Sequence, residues 1–252
     1  MSTVAILQSN YIPWKGYFDL IAAADIFVIY DEVQYTKNDW RNRNQIKTPN
    51  GPQWITIPVR QVNLDQRICD SRISDTSWAR KHMGALQANY ARAPFFEQYK
   101  KTVFDELSQP REFLSEVNVG LIRMICGLLG ITTRIIDSRE LALEGDRNAR
   151  LLDACKKLGA TAYLSGPAAR SYLDTALFQQ EGIDVHYTED ISLANQKADL
   201  VVYTPAIPAN HLELQWFQQQ QFKVVKRSDV LQMISEQMQA ICVAGTHGKT
   251  TI

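Results

Sequence analysis

The sequence predicts an α/β protein: a mostly parallel, Rossmann-like sheet with a helical insert over about 78–130, followed by a C-terminal βαβαβ piece. Three observations predict it. Short apolar, β-rich runs alternate with segments of helical period, the pattern of strands joined by crossover helices. From Trp78 to Leu129 the period is helical throughout. The apolar runs also end in polar side chains that a core does not need, at the positions where open α/β sheets bind ligands.

Taken in order, Val4–Leu7 is a buried-strand run, and Gln8, Asn10 and Tyr11 follow it. Pro13 suits the first turn of a helix whose apolar positions run through Ala24. Ile26–Tyr30 is the second strand and ends in Asp31, Glu32 and Gln34. Asn50-Gly51 predicts a hairpin turn between arms Trp40–Lys47 and Gln53–Val59. Arg60–Ser77 is polar and turn-rich, with a short strand near Ile68, and reads as a lid. Helices then cover Trp78–Asn89, Phe95–Leu107 and Pro110–Leu129; the first turns Trp78, Met83 and Leu86 inward and carries His82. Gly130 stops the last of them. Asn118 lies on its apolar side, either as a core hydrogen bonder or as a pocket residue. Thr132–Ile136 is a strand, Arg147–Leu158 a helix stopped by Gly159, and Thr161–Leu164 a strand. Ser165-Gly166-Pro167 then opens a helix, Ala168–Phe178, a turn that leaves N–H groups facing a ligand. Beyond it come a strand (Leu200–Tyr203), a helix (His211–Gln219), a strand (Phe222–Val225), a helix capped by Ser228 and running to about Met238, and a strand (Ala240–Ala244).

Lys plus Arg equals Asp plus Glu at 27 each, so no global field favours nucleic acid or an anionic membrane. No apolar run is long enough to span a bilayer, and Met1 leads straight into a strand. Cys69, Cys126, Cys155 and Cys242 are scattered without C-x-x-C pairing, as unpaired thiols of a reducing cytoplasm are. The expectation is a cytoplasmic protein without membrane insertion or nucleic-acid partner. No His/Cys cluster has zinc spacing, so no metal is expected. No nucleophile elbow or Cys–His–Asn arrangement is readable, which leaves the catalytic residues unknown.

The residues from Gln8 to Val59 hold the candidate site. Gln8, Asn10, Tyr11 and Asp31 would orient a substrate at the strand ends. Arg41, Arg43 and Lys47 would take a phosphate or carboxylate, arginine through its planar fork and lysine as a point charge. Trp14, Tyr17 and Trp40 would stack on a ring. Gln34, Asn42, His82 and Ser165 complete the candidate set, and the ligand would be a sugar or nucleotide-sugar. The plain alternative is a solvated hairpin with ordinary surface charge.

Gln8, Asn10-Tyr11, Pro13-Trp14, Gly16-Tyr17-Phe18, Asp31, Gln34-Tyr35, Trp40-Arg41-Asn42-Arg43, Ile46-Lys47 and Gly51 together resemble the WbqC-like family. The W-x-x-K-H around His82 and the K-K-L-G-A-x-x-Y-L-S-G ending at Gly166 continue the resemblance. It implies a setting in surface-polysaccharide (O-antigen) biosynthesis. There the chain would be a transferase acting on an activated sugar or amino-sugar, or a non-catalytic ligand-binding protein of the same pathway. The opening also resembles nucleotidylyltransferase domains, but Trp14-Lys15-Gly16-Tyr17 stands where those carry H-x-G-H, so the likeness supports a fold and not that chemistry.

The character changes between Gly182 and Lys197. T-P-A-I-P, K-R-S-D-V-L and Gly245-Thr246-His247-Gly248-Lys249-Thr250 resemble Mur ligases, specifically UDP-N-acetylmuramate–L-alanine ligase, up to the phosphate-binding loop. The resemblance implies an ATP site in which backbone N–H groups cradle phosphates, Lys249 balances their charge and Thr250 or Thr251 reaches magnesium. The chain stops at Ile252, so a vestigial loop is expected, with ATP and magnesium bound only if it functions. The expected organisation is a WbqC-like domain over 1–185 and a truncated Mur-ligase-like segment over 186–252 that forms no UDP-N-acetylmuramoyl-alanine by itself.

Overall fold

The computed structural model describes residues 2–188, 197–205, 207 and 211–236. The first half of the chain contributes β1 (Thr3–Leu7), α1 (Lys15–Ala22), β2 (Ile26–Ile29), β3 (Arg43–Thr48), β4 (Gly51–Thr56), β5 (Val59–Arg60), β6 (Arg72–Ile73), α2 (Trp78–Tyr90), α3 (Phe96–Leu107) and α4 (Leu114–Leu129). The second half contributes β7 (Arg134–Asp137), α5 (Arg147–Lys157), β8 (Ala162–Ser165), α6 (Thr175–Gln180), β9 (Asp184–Tyr187), β10 (Val201–Tyr203), α7 (Leu212–Gln219), β11 (Val224–Lys226) and α8 (Arg227–Glu236).

The main sheet is five-stranded and parallel, in the order β7-β2-β1-β8-β9. Val4 pairs with Ile26 on one side and with Tyr163 on the other. The chain moves outward from β1 to β2 and β7, then crosses back to the far side of β1 with β8. The reversal makes the C-terminal ends of β1 and β8 the crevice where such sheets take ligands. Gln8–Asn10 leave β1 there, and Ser165 ends β8.

Two apolar cores meet along α4. On one side Ile122 and Cys126 pack with Tyr17, Phe18 and Ile21 of α1 and with Ala5, Phe27 and Leu164 of the sheet. On the other, Leu114, Val117 and Leu121 pack with Ile46, Ile55 and Ile57 of the hairpin and with Trp78 and Leu107. Each fully buried aliphatic side chain here contributes about 1.5–3 kcal/mol, so α4 is the spine that fixes the hairpin relative to the sheet. Its start is set by Glu116, whose carboxylate accepts the backbone N–H groups of Glu112 and Phe113 at 3.1 Å. Gly130 ends it at φ +70°, returning its N–H to the Cys126 and Gly127 carbonyls.

Several local expectations shift. The hairpin's first arm begins at Arg43, and its two-residue turn is Pro49-Asn50, with Gly51 already paired to Thr48 at φ +104°. Glycine relieves the ladder's first position, one residue later than a turn at Asn50-Gly51 would need it. Ile68 lies in a 3-10 turn, not a strand, and is fully buried. The lid segment is thus anchored by Ile68, Cys69 and Ser71, while Val62 and Leu64 are exposed at its tip. Pro110 precedes α4 rather than starting it. The helix expected over Ala168–Phe178 is a 3-10 turn, Pro167–Ser171, followed by α6, which Asp174 restarts by accepting the Ala176 N–H at 3.1 Å.

Contacts divide the chain into one unit of residues 1–165 with 169–185 and a second of 166–168 with 186–252. Within the second, β10 and β11 are parallel, with Val201 opposite Val224. Phe217 of α7 stacks edge-on to Phe222 at 5.2 Å. α8 begins at Arg227, one residue ahead of a Ser228 cap. The expected strand Ala240–Ala244 and the loop Gly245–Thr251 lie outside the described residues. No described helix is long and apolar enough to cross a membrane.

Candidate functional site

The crevice rests on a polar core. Ser9 is fully buried; its N–H donates to Asp31 Oδ1 at 2.8 Å and its hydroxyl to Oδ2 at 2.7 Å. Ser115, in the first turn of α4, donates its hydroxyl to the same Oδ2 at 2.5 Å. Burial pushes the Asp31 carboxyl above its ordinary value, and the hydrogen bonds from Ser115 and Ser9 pull the other way. Asn118, one turn along α4, donates Nδ2 to Ser9 Oγ at 3.1 Å and to the Arg41 carbonyl at 2.9 Å. Asp31 therefore sits beneath the rim, closed to solvent, and holds the chain leaving β1. The main-chain N–H of Cys69 closes the other side, donating to the Asp31 carbonyl at 2.9 Å.

Above this core lies a cavity of about 360 Å³ lined by Asn10, Tyr11, Pro13, Trp14, Trp40 and Asn44. Trp14 is 57% exposed and Trp40 48%. Trp40 leans on Trp54, ring centres 5.6 Å apart, and the Arg43 guanidinium lies 4.1 Å over Trp54. That cation–π stack fixes the Trp40 wall. Trp14 is folded back over α1: a Cβ on Gly16 would stand 2.7 Å from the indole nitrogen. Ile12, next to the cavity-lining Tyr11 and Pro13, takes φ +46°, a region β-branched residues rarely enter. Asn44 holds it there, donating Nδ2 to the carbonyls of Tyr11 at 3.2 Å and Ile12 at 2.5 Å, while the Tyr11 N–H donates to the Trp40 carbonyl at 2.9 Å. Strain held in place by surrounding bonds is common where a loop shapes a site.

The remaining expected residues fall in different places. Arg41 donates from both terminal nitrogens, to Asn10 Oδ1 and to Gln8 Oε1, joining Gln8 and Asn10 at the rim. Tyr17 is in the core, not on a stacking wall; its hydroxyl donates to the Gln8 carbonyl at 3.0 Å. The Tyr11 ring is also fully buried, against Trp78 and His82. Its hydroxyl lies 2.8 Å from His82 Nδ1, and the His82 ring also bonds the Thr56 backbone. Burial lowers the His82 pKa to about 4, so the imidazole is neutral and packed away from the cavity. Asn42 is buried and donates to the Ile57 carbonyl at 3.0 Å. Gln34 is exposed and clamps the lid tip by donating to the Leu64 carbonyl at 2.7 Å. Lys47 is exposed on the hairpin, and Ser165 is 7% exposed at the end of β8. The structure thus brings Gln8, Asn10, Trp14, Trp40 and Arg41 together and places Gln34, Lys47 and His82 elsewhere.

A profile described as the WbqC-like protein family matches residues 8–197. This chain belongs to that family. An uncharacterized protein from Mycobacterium tuberculosis is 46% identical over 187 residues, covering 73% of this chain and 81% of the relative. A shorter portion is similar to UDP-N-acetylmuramate–L-alanine ligases. The enzyme of Porphyromonas gingivalis strain W83 is 47% identical over 77 residues, which make up 29% of this chain and 17% of the ligase. The enzyme of Christiangramia forsetii is 42% identical over 83 residues, 31% of this chain and 18% of the ligase. The chain thus spans less than a fifth of the length of the ligases it matches. No solved structure matches it.

Sequence reasoning on this WbqC-like chain did not single out Ser9, Ser115 or Asn44. Serine carries no signal of its own in one sequence, and Ser115 reaches Asp31 from 84 residues away. Asn44 was detectable in principle, since it continues the polar run Arg41–Arg43 onto β3. A second polar group at the strand ends, Glu32 with Ser138 and Arg150, has both carboxylate oxygens taken at 2.8 Å. It ties α5 to the end of β2. Among the described residues no group of three or more His, Cys, Asp or Glu side chains could hold a metal ion.

Proposed function

We propose that the WbqC-like body, residues 1–185, binds an activated sugar or amino-sugar intermediate of surface-polysaccharide (O-antigen) synthesis. The observation that carries this reading is the cavity with Trp14 and Trp40 exposed on its walls and the amides of Asn10 and Asn44 beside them. An indole face takes the C–H face of a pyranose or the plane of a base, and amides pair with hydroxyl or carbonyl groups. The volume falls within the usual range for small-molecule sites. Binding is better supported than catalysis, because Asp31 and His82 are buried and already hydrogen-bonded. A transferase reaction at this site is the second reading, favoured by the strained Ile12 backbone. We assign the protein to the cytoplasm on its cysteines, three of which are buried free thiols. The portion similar to UDP-N-acetylmuramate–L-alanine ligase is read as an appended segment, and ligase activity is not proposed for it.

Thermal shift with UDP-N-acetylglucosamine, other nucleotide-sugars and the free sugars tests the binding reading. A ligand at 100 times its Kd adds about 2.7 kcal/mol, a rise of several degrees in a chain this size. Trp40→Ala should abolish that rise while the protein still unfolds cooperatively. An undiminished shift in Trp40→Ala would place the ligand elsewhere. Conversion of the bound sugar to a product would decide for the transferase.

A further inference from the structure

Arg41 differs from Arg43, Arg139 and Arg150 in what holds its charge. Arg43 spends its charge on the face of Trp54, Arg150 is paired with Glu32 at 2.8 Å, and Arg139 is paired with Asp137 at 2.7 Å. The Arg41 guanidinium is held instead by two neutral amide oxygens, those of Gln8 and Asn10. Neutral acceptors orient a guanidinium without cancelling its charge. Arginine has five N–H donors, and these contacts occupy two of them. The side chain is only partly buried. Asp39 senses the charge through space: burial works against its ionised form, but hydrogen bonds from Thr36 and the Trp40 N–H, then Arg41 and Arg43, hold its carboxyl below the ordinary range. It accepts from Thr36 and Trp40, not from Arg41.

The position matters as much as the charge. Gln8 and Asn10 follow β1 at the crevice where the strand order reverses, and Asn10 also lines the Trp14–Trp40 cavity. The Arg41 main chain is fixed from below, its carbonyl accepting from Asn118 at 2.9 Å. The result is a preorganised fork with open donors next to a ring-sized cavity. Forks of this kind recognise oxyanions in two-pronged geometry.

We propose that Arg41 is the anion-binding residue of this site, taking the phosphate or carboxylate of a ligand whose ring enters the cavity between Trp14 and Trp40. Gln8 and Asn10 are its positioning residues. This deepens the sugar-binding reading and rests on the same cavity, but it makes a separate demand: affinity must depend on the ligand's negative charge. It also sets the specificity of the site. Uncharged sugars bind weakly, anionic ones well, and the difference shrinks as salt screens the exposed part of the guanidinium.

The test is titration calorimetry on the full chain with pyrophosphate, UDP, UDP-N-acetylglucosamine, glucuronate and N-acetylglucosamine, at low and high salt. Wild type should bind at least one phosphate- or carboxylate-bearing probe at least tenfold more tightly than N-acetylglucosamine. Arg41→Gln should remove most of that advantage while still unfolding cooperatively. Arg41→Lys keeps the charge but cannot fork, and should fall between the two; it also serves if Arg41→Gln fails to fold. Comparing UDP with glucuronate identifies phosphate or carboxylate as the preferred anion. Undiminished anion affinity in both variants, or no anionic probe binding wild type at millimolar concentration, overturns the proposal. The outcomes separate the two readings. Anions that bind through Arg41 with no gain from a sugar and no loss in Trp40→Ala would sink the sugar reading alone. Binding of the anionic sugars that ignores Arg41 would sink this one alone.

Discussion

His82 has both ring nitrogens committed, one to the Tyr11 hydroxyl and the other to the Thr56 backbone. Burial lowers its pKa to about 4 from 6.5 by stripping water from the charged ring, with the Thr56 backbone bond pulling the other way and Lys81 adding to the lowering. The sign follows from linkage. The unfolded chain binds the proton more readily, so the stability that neutral His82 confers is fully present above about pH 6.5. It is lost as the pH falls from there toward 4, up to about 3 kcal/mol in all. Asp31 has the opposite sign, because its raised pKa makes ionisation a cost to the folded state as the pH rises. Comparing variants isolates the histidine. The melting temperature of wild type should fall across pH 6.5 to 4, and His82→Gln should melt lower at pH 7 but with a shallower slope over that window. Equal slopes would mean that His82 is solvated.

At the scale of the elements, α1 and the loop before it carry the cavity. Gly16 lies beneath the Trp14 indole, and a methyl group there would displace the ring. Alanine is also the better helix former by up to about 1 kcal/mol. Gly16→Ala should therefore leave the melting temperature unchanged or slightly higher while weakening cavity ligands at least fivefold, with a shift in tryptophan emission. A fall in stability with unchanged affinity would contradict this assignment of Trp14 to the wall. Much of the scaffold was readable in the chain. The strands at Val4, Ile26 and Ala162 announce themselves because a parallel sheet covered on both faces needs continuous apolar runs. The partners of polar side chains were not readable. Tyr17 and His82 look like pocket residues because each has a polar tip, yet those tips are satisfied inside: Tyr17 donates to the Gln8 carbonyl, and His82 meets Tyr11 across 71 residues. The hairpin turn was misplaced by one residue because Gly51 serves the ladder rather than the turn. The break before α6 was missed because Asp174 restarts a helix that a Gly166-Pro167 opening made look continuous.

For the whole molecule, among the described residues the five-stranded sheet takes no strand from beyond Tyr187 and every residue lining the cavity lies within the first 44. A chain cut after Tyr187 should keep the wild-type affinity for UDP-N-acetylglucosamine within twofold in calorimetry. A larger loss would show that the ligase-like portion contributes to this site and would remove the case for treating residues 1–185 as a self-sufficient domain.

The hydrogen bond from Ser115 to Asp31 has a consequence in time. It closes a loop of 84 residues, and Asn118 reaches Ser9 across 109. Contacts of that span form only after the entropy of the intervening chain has been lost, whereas β1 and β2 pair across 22 residues. A nascent β1–α1–β2 unit can therefore pair its strands long before α4 arrives to seat Ser9 and the backbone of Arg41. Until then Asp31 is an ordinary solvated carboxylate and Gln8, Asn10 and Arg41 have no fixed arrangement. On the reading proposed above, recognition is a late property of folding, and a partly folded form without α4 lacks the arrangement that seats Ser9 and Arg41.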